Sequence, residues 1–270
     1  MVIKIKTVNL LAVISFSLLL TSCIKWVDPP VEGLVLYYTF DGNLTDRSKY
    51  FNDGIDSTSG NYVKGRWNKA LDFNGYSDFI QLSNTLNGAD GLSFSFWIKS
   101  RGAYGTNNNG AIVSKYNMTG HYRCFMIYSF GAYETRDDNR LSAAFYIRSY
   151  TAGTNDHVKS YYEEKELSIF TNPSLWTIIR PRRIELNRWT HCVINVTPSD
   201  IEAWINGEMC VKKKREYDEY YDNPLIPTYI GNNVSGGEGS NNHFNGALDE
   251  LRIFNRPLTE KEIRILFNNK

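Results

Sequence analysis

The sequence predicts an all-β protein, an antiparallel sandwich of many short strands followed by one short C-terminal helix. Three observations carry that expectation. Gly33–Phe40 and Leu92–Ile98 alternate apolar and polar residues with a period of two, the spacing of a strand with one buried face. Aromatic residues make up 14 % of the chain, and 27 Asn beside 20 Gly supply polar turns. Only the tail reads as a helix, where Thr259-x-x-Glu262 forms a capping box ahead of Ile263, Leu266 and Phe267. Strands with almost no helix between them point to a sandwich rather than an α/β fold.

The first element is an export signal. Met1–Lys6 holds two lysines, and Thr7–Leu20 is mostly apolar but short for a membrane span. Leu20-Thr21-Ser22-Cys23 resembles the bacterial lipobox. That resemblance implies loss of residues 1–22, diacylation of Cys23 and a lipidated tether over residues 23–32, rich in proline at Pro29-Pro30. Acyl chains buried in the bilayer then hold the protein at the membrane. Ile24 follows the cysteine, where aspartate would resemble an inner-membrane retention signal, so the expected location is the outer membrane or cell surface.

Residues 33–270 read as a single domain. After Leu34–Phe40, Leu92–Ile98 places Phe94, Phe96 and Ile98 on one face, and Leu141–Ile147 continues the pattern through Ala143 and Phe145. Gly110–Tyr116, Arg123–Phe130 and Pro227–Gly231 are further strands. Trp189–Val196, a turn at Pro198-Ser199-Asp200 and Ile201–Ile205 form a hairpin. Asn206-Gly207 then turns the chain into Glu208–Lys212. With Cys23 assigned to lipid, Cys124, Cys192 and Cys210 remain; Cys192 and Cys210 either pair or stay as thiols.

Six blocks in order resemble laminin G-like domains. Leu36-Tyr-Tyr-Thr-Phe-Asp-Gly-Asn43, Lys69-Ala-Leu-Asp-Phe-Asn-Gly75 and Leu92-Ser-Phe-Ser-Phe-Trp-Ile98 resemble the opening strands. Trp189-Thr-His-Cys-Val-Ile-Asn-Val196 and Ala203-Trp-Ile-Asn-Gly207 resemble the central hairpin, and Phe244–Leu258 the closing strand. The resemblance implies a concanavalin A-like jelly roll of two antiparallel sheets in which the first and last strands meet. It further implies a carbohydrate-binding or adhesive module, often with bound calcium. Tyr150–Asn187 and Lys212–Asp222 are longer or more charged than the family pattern, and such loops carry specificity on a rigid sandwich.

The expected chemistry follows from these residues. Calcium takes six to eight oxygens, and the implied strand pairing brings Asp41 and Asp249 together, with Asn43 or loop carbonyls completing the shell. The alternative is that Asp41 starts a turn and Asp249 caps backbone groups or pairs with Arg252. Sugars stack on flat aromatic faces. Trp97 and Trp204 alternate away from the central core, and are either platforms or packed under the long excursions. Tyr161, Tyr162, Trp176, Tyr217, Tyr220 and Tyr221 lie in the long loops and complete the ligand candidates. Retaining glycosidases need two carboxylates about 5 Å apart. The nearest pattern, Glu216-Tyr-Asp-Glu, sits in a charged loop, and Asp249-Glu250 alternates to opposite faces. There is no Gly-x-Ser-x-Gly elbow, and His191 reads as structural. A formal charge of +1 argues against nucleic acid. The expectation is a non-enzymatic, lipid-anchored module that binds a glycan or a surface or matrix protein. The alternatives are a hydrolase with a divergent site and a structural subunit of a surface complex.

Overall fold

The computed structural model describes residues 28–82, 91–102, 109–117, 122–130, 140–146, 176–179, 184–214, 226–233 and 242–269. Fifteen strands and one helix are assigned: β1 (Leu34–Tyr38), β2 (Gly54–Asp56), β3 (Tyr62–Lys64), β4 (Lys69–Asn74), β5 (Ile80–Leu82), β6 (Leu92–Ser100), β7 (Asn109–Asn117), β8 (Tyr122–Phe130), β9 (Arg140–Tyr146), β10 (Trp176–Ile179), β11 (Thr190–Val196), β12 (Asp200–Ile205), β13 (Glu208–Lys214), β14 (Tyr229–Ile230), β15 (Asn245–Phe254) and α1 (Glu260–Asn268). They form two sheets. The eight-stranded sheet runs β13-β12-β11-β6-β15-β4-β3, with β1 also paired to β15, and the seven-stranded sheet runs β10-β9-β8-β7-β14-β5-β2. Every strand pairing is antiparallel, and the first strand pairs with the last, Leu36 opposite Ile253 and Tyr38 opposite Leu251.

The alternating residues fill the space between the sheets. Leu36, Tyr38, Phe94, Phe96, Ile98, Ile194, Ala203, Leu248 and Ile253 from one sheet meet Ile80, Val113, Phe125, Ile127 and Ile230 from the other. Phe94 and Phe125 make the contact directly, ring centroids 5.0 Å apart. The hairpin forms as Asn206-Gly207 demands, with both residues in the left-handed region (φ 53° and 76°) that this tight turn requires. The strands at Gly54, Tyr62 and Ile80 are three residues each, too short to announce themselves as alternation. Another, β10, lies inside the stretch read as a loop excursion. Among the described residues, Cys124, Cys192 and Cys210 form no disulfide with one another.

A second apolar cluster lies on the opposite face of the eight-stranded sheet. There α1 lays Ile263 and Leu266 onto Leu34, Val193, Trp204 and Phe254. The helix starts as its sequence dictates: Thr259 accepts from the Glu262 backbone, and the Glu262 side chain accepts from the Thr259 N–H. Arg256 adds two bonds to the same carboxylate, which holds Glu262 down at about pKa 2, with the Thr259 bonds contributing. The strand-to-helix joint is locked by buried Asn195. Its Oδ1 accepts from Ser93 Oγ and Leu258 N, while its Nδ2 donates to Leu258 O and Glu202 Oε2.

The free edge of β1 is also closed. The carboxylate of Asp46 accepts the N–H groups of Tyr37, Ser48 and Asn52, at 2.8 Å each. Arg47 N donates to Tyr37 O, and Asn52 Nδ2 donates to Val35 O. Residues 46–52 therefore satisfy the edge groups that would otherwise invite another strand.

Candidate functional site

The outer face of the seven-stranded sheet gathers uncharged polar and aromatic groups. Ile80, Ile230, Val113 and Ile127 form one register row that points into the core. The neighbouring row, Gln81, Tyr229, Ser114 and Met126, therefore points outward. Phe79 packs edge-on against Tyr229 at 5.9 Å and lies 6.5 Å from the His243 ring. The chain after β14 folds over this row: Ser114 Oγ donates to Asn232 O, Asn233 Nδ2 approaches Met126 Sδ, and Asn242 Nδ2 donates to Asn233 Oδ1. Gly231 makes that fold-over possible. Its φ is +82°, and a Cβ there would lie 2.3 Å from the Phe73 ring.

The side chains of this row carry no formal charge, and the buried Asp78 carboxylate, whose backbone carbonyl lies 3.3 Å from His243 Nδ1, acts on that imidazole against its burial. Burial pulls the pKa of His243 below its ordinary value, so the imidazole is uncharged at pH 7. Burial also raises the Tyr229 phenol, which stays protonated. Asn232 Oδ1 is a buried acceptor with no hydrogen-bond partner. Amides, a phenol, an imidazole and aromatic rings without a net charge are the groups that hold a polyhydroxylated, neutral ligand. Sequence reasoning missed Phe79, Gln81, Asn232 and His243. The one available signal was the alternation Tyr229-Ile230 within Pro227–Gly231, which assigned a strand but not its neighbours.

The opposite sheet carries a different cluster, closed beneath α1. Trp97 and Trp204 do alternate away from the core, yet they are 3 % and 6 % exposed. Trp97 stacks on Phe267 at 5.8 Å, and Arg66 covers its ring at 4.6 Å. Trp204 belongs to the helix-covered cluster. The expectation of platforms is corrected for both: the apolar stripe of α1 occupies the surface a sugar would need. His191 is buried, with Nε2 3.0 Å from Ser95 Oγ. Burial, together with the charge of Arg252, pulls it down to about pKa 3, so it is a neutral structural residue.

Asp249 and Glu250 do not point to opposite faces. The register shifts between Asp249 and Arg252, and Glu250 takes a left-handed φ of 52°. This bulge turns both carboxylates to the helix-covered side. Glu250 Oε2 accepts from Tyr37 OH at 2.6 Å and from Arg252 at 2.7 Å. Asp249 Oδ2 accepts the N–H groups of Arg66 and Trp67. Desolvation is the main cause that pushes Asp249 up to about pKa 7; the charges of Glu250 and Asp41 add to it, against those N–H donors.

The calcium candidates converge in part. Asp41 binds the turn between β3 and β4 from outside, accepting from Lys69 N and Asn68 Nδ2. Asp249 binds the same turn from beneath, and its Oδ1 is buried without a donor. Asn43 Oδ1 instead accepts from Thr45 N and closes a local turn. Hard oxygen donors are the right chemistry for calcium. Among the described residues, however, no three His, Cys, Asp or Glu side chains gather around one point.

The remaining candidates lie on the long connections. Tyr161, Tyr162, Tyr217, Tyr220, Tyr221 and Cys23 fall outside the described residues. Trp176 is placed by its backbone at the start of β10, opposite Tyr146. Strands β10 and β13 are the terminal strands of their sheets.

A laminin G family model, described as the concanavalin A-like lectin/glucanases superfamily, matches residues 73–264. No curated protein matches the chain. Among solved structures, the chain is similar to domain 4 of AbnA, a GH43 extracellular arabinanase from Geobacillus stearothermophilus, solved in complex with arabinotriose. The TM-score is 0.57 at 20 % identity, over 88 % of this chain and 99 % of that one. It is also similar to the binding domain of Paraclostridial Mosquitocidal Protein 1, with TM-score 0.60 and 19 % identity over 87 % of this chain. The botulinum neurotoxin serotype D binding domain gives 0.57 and 16 % over the same share. The chain spans about half of each toxin domain, 52 % and 51 %. At these identities the likeness is one of fold.

Proposed function

Since this chain belongs to the concanavalin A-like lectin/glucanases superfamily, we propose that it is a non-enzymatic, lectin-like module that takes a neutral glycan on the outer face of its seven-stranded sheet. The observation that carries this reading is the half-buried, uncharged group of Gln81, Tyr229 and Met126 beside half-buried Phe79 and His243, with buried Ser114 beneath them. Rings supply apolar faces for pyranose C–H groups, and the surrounding amides supply hydrogen bonds. Asp249 Oδ2 and Glu250 Oε2 are bonded to the β3–β4 turn and to Arg252, and both side chains are buried on the helix-covered side, which supports binding rather than hydrolysis. We further propose anchoring through acylated Cys23 at a bacterial surface, supported by the Leu20-Thr21-Ser22-Cys23 motif, and a structural calcium held by Asp41 and Asp249, supported by the donorless Asp249 Oδ1.

The test is a glycan array probed with the full chain and with Tyr229→Ala. The expected result is binding to neutral glycans that falls about tenfold or more in the variant, the worth of one aromatic contact. A blank array with folded protein, or equal binding by both chains, overturns the reading. Release of reducing ends from a bound polysaccharide would overturn its non-enzymatic part alone.

A further inference from the structure

The loop that closes the edge of β1 does more than protect it. Asp46, 3 % exposed, ties residues 46–52 into a rigid frame, and the frame is fixed to the sandwich by Tyr38 OH donating to Asn52 O at 2.7 Å. On this frame stand two aromatic side chains that touch no core, Tyr50 at 46 % and Phe51 at 77 % exposure. Phe51 has a left-handed φ of 53°, a conformation that a bulky residue adopts only at a cost. Burial cannot be what compensates for it. Lys49 Nζ sits 5.1 Å over the Tyr50 ring, and Arg47 is exposed beside them.

The position of the loop in the fold says what covers it. Ser48 Oγ and Asn52 Nδ2 both donate to Val35 O, so the frame sits against the second residue of β1, where the chain enters the domain. Val31, just before that entry, is 77 % exposed. Cys23 lies 11 residues before Leu34, a tether that spans at most about 40 Å when fully extended. A chain anchored at Cys23 thus carries this loop at high effective concentration beside the bilayer. Paired aromatic residues preceded by Arg and Lys are groups that settle in the headgroup zone of an anionic membrane, and exposed Asp53, which follows them, accepts from the Asp46 N–H.

We propose that Tyr50 and Phe51, with Lys49 and Arg47, form a membrane-docking surface that seats the domain on the bilayer to which Cys23 anchors it. The proposal rests on the anchoring reading, and its test separates the two. The full chain and its F51W variant are purified with their lipid and reconstituted into vesicles of phosphatidylcholine and phosphatidylglycerol, with and without brominated acyl chains. Flotation with the vesicles, and its loss in Cys23→Ser, reports the anchor. Quenching of the emission that F51W adds over the parent chain reports docking. The expected result is flotation, with the added emission lost to brominated lipid and recovered when Arg47 and Lys49 are changed to Ala. Flotation without quenching overturns the docking surface and leaves the anchor standing. Failure of the parent chain to float overturns the anchor, and the docking surface with it. Added emission that ignores lipid but responds to a soluble glycan assigns the loop to ligand binding and also overturns the proposal.

Discussion

Asn195 is the residue whose loss the structure prices most sharply. Buried at 2 % exposure, it spends its amide on both backbone groups of Leu258, on Ser93 and on Glu202. In Asn195→Ala, Leu258 N retains Ser93 Oγ and Glu202 Oε2 retains the Trp204 indole N–H, so those two groups lose about 1 kcal/mol each. Leu258 O loses its Asn195 donor in a buried place, which costs about 1–3 kcal/mol. The expected total is about 4 kcal/mol, a fall of about 1 M in the urea midpoint for a domain of this size. The joint that loosens carries α1, which covers Trp204 and stacks Phe267 on Trp97, so tryptophan emission should shift red before the main transition. Asn43→Ala, which removes only an exposed turn, should stay within about 0.5 kcal/mol. A change below about 1 kcal/mol in Asn195→Ala, with emission unaltered, would refute the argument that this amide holds the helix to the sheet.

Three further outcomes follow from the same geometry. Glu262, held at about pKa 2 against an ordinary 4.5, adds stability that is full above pH 4.5 and lost as pH falls toward 2; Glu262→Gln should cost about 1–2 kcal/mol at pH 7 and flatten that part of a pH–denaturation profile. His191, pulled down to about pKa 3 from 6.5, is a group the unfolded chain protonates first, so it contributes a loss of stability from about pH 6.5 down to 3. Replacing it with Gln should remove that slope between pH 6.5 and 4.5, as read by urea titrations at each pH. Chelator should lower the melting temperature by several degrees in the parent chain and not in Asp249→Asn; a chelator-insensitive parent with no metal by elemental analysis sinks the calcium site.

Much of the architecture was legible because its signals are local. Alternation in Gly33–Phe40 and Leu92–Ile98 fixes which residues enter the core, and Asn206-Gly207 fixes the hairpin. The capping box at Thr259 and Glu262 fixes where α1 begins. What covers the outer tryptophans was also within reach: an amphipathic helix with Ile263 and Leu266 on one stripe must bury it somewhere, and the exposed sheet face is the nearest surface. Other features depend on pairings distant in sequence. The row Gln81–Tyr229–Ser114–Met126 exists only because β14 slots between β5 and β7. The bulge at Glu250 reverses the side to which a carboxylate points, and period-two reasoning has no term for it.

The pairing of β1 with β15 also decides how the domain bears tension applied at its N terminus. Force entering at Gly33 runs along β1, while the bonds to β15 on one side and to residues 46–52 on the other lie across that direction. They are loaded together in shear instead of being unzipped in succession. A pull on the tether is therefore spread at once into the centre of the eight-stranded sheet, and the chain that would be first to peel away is gripped on both edges.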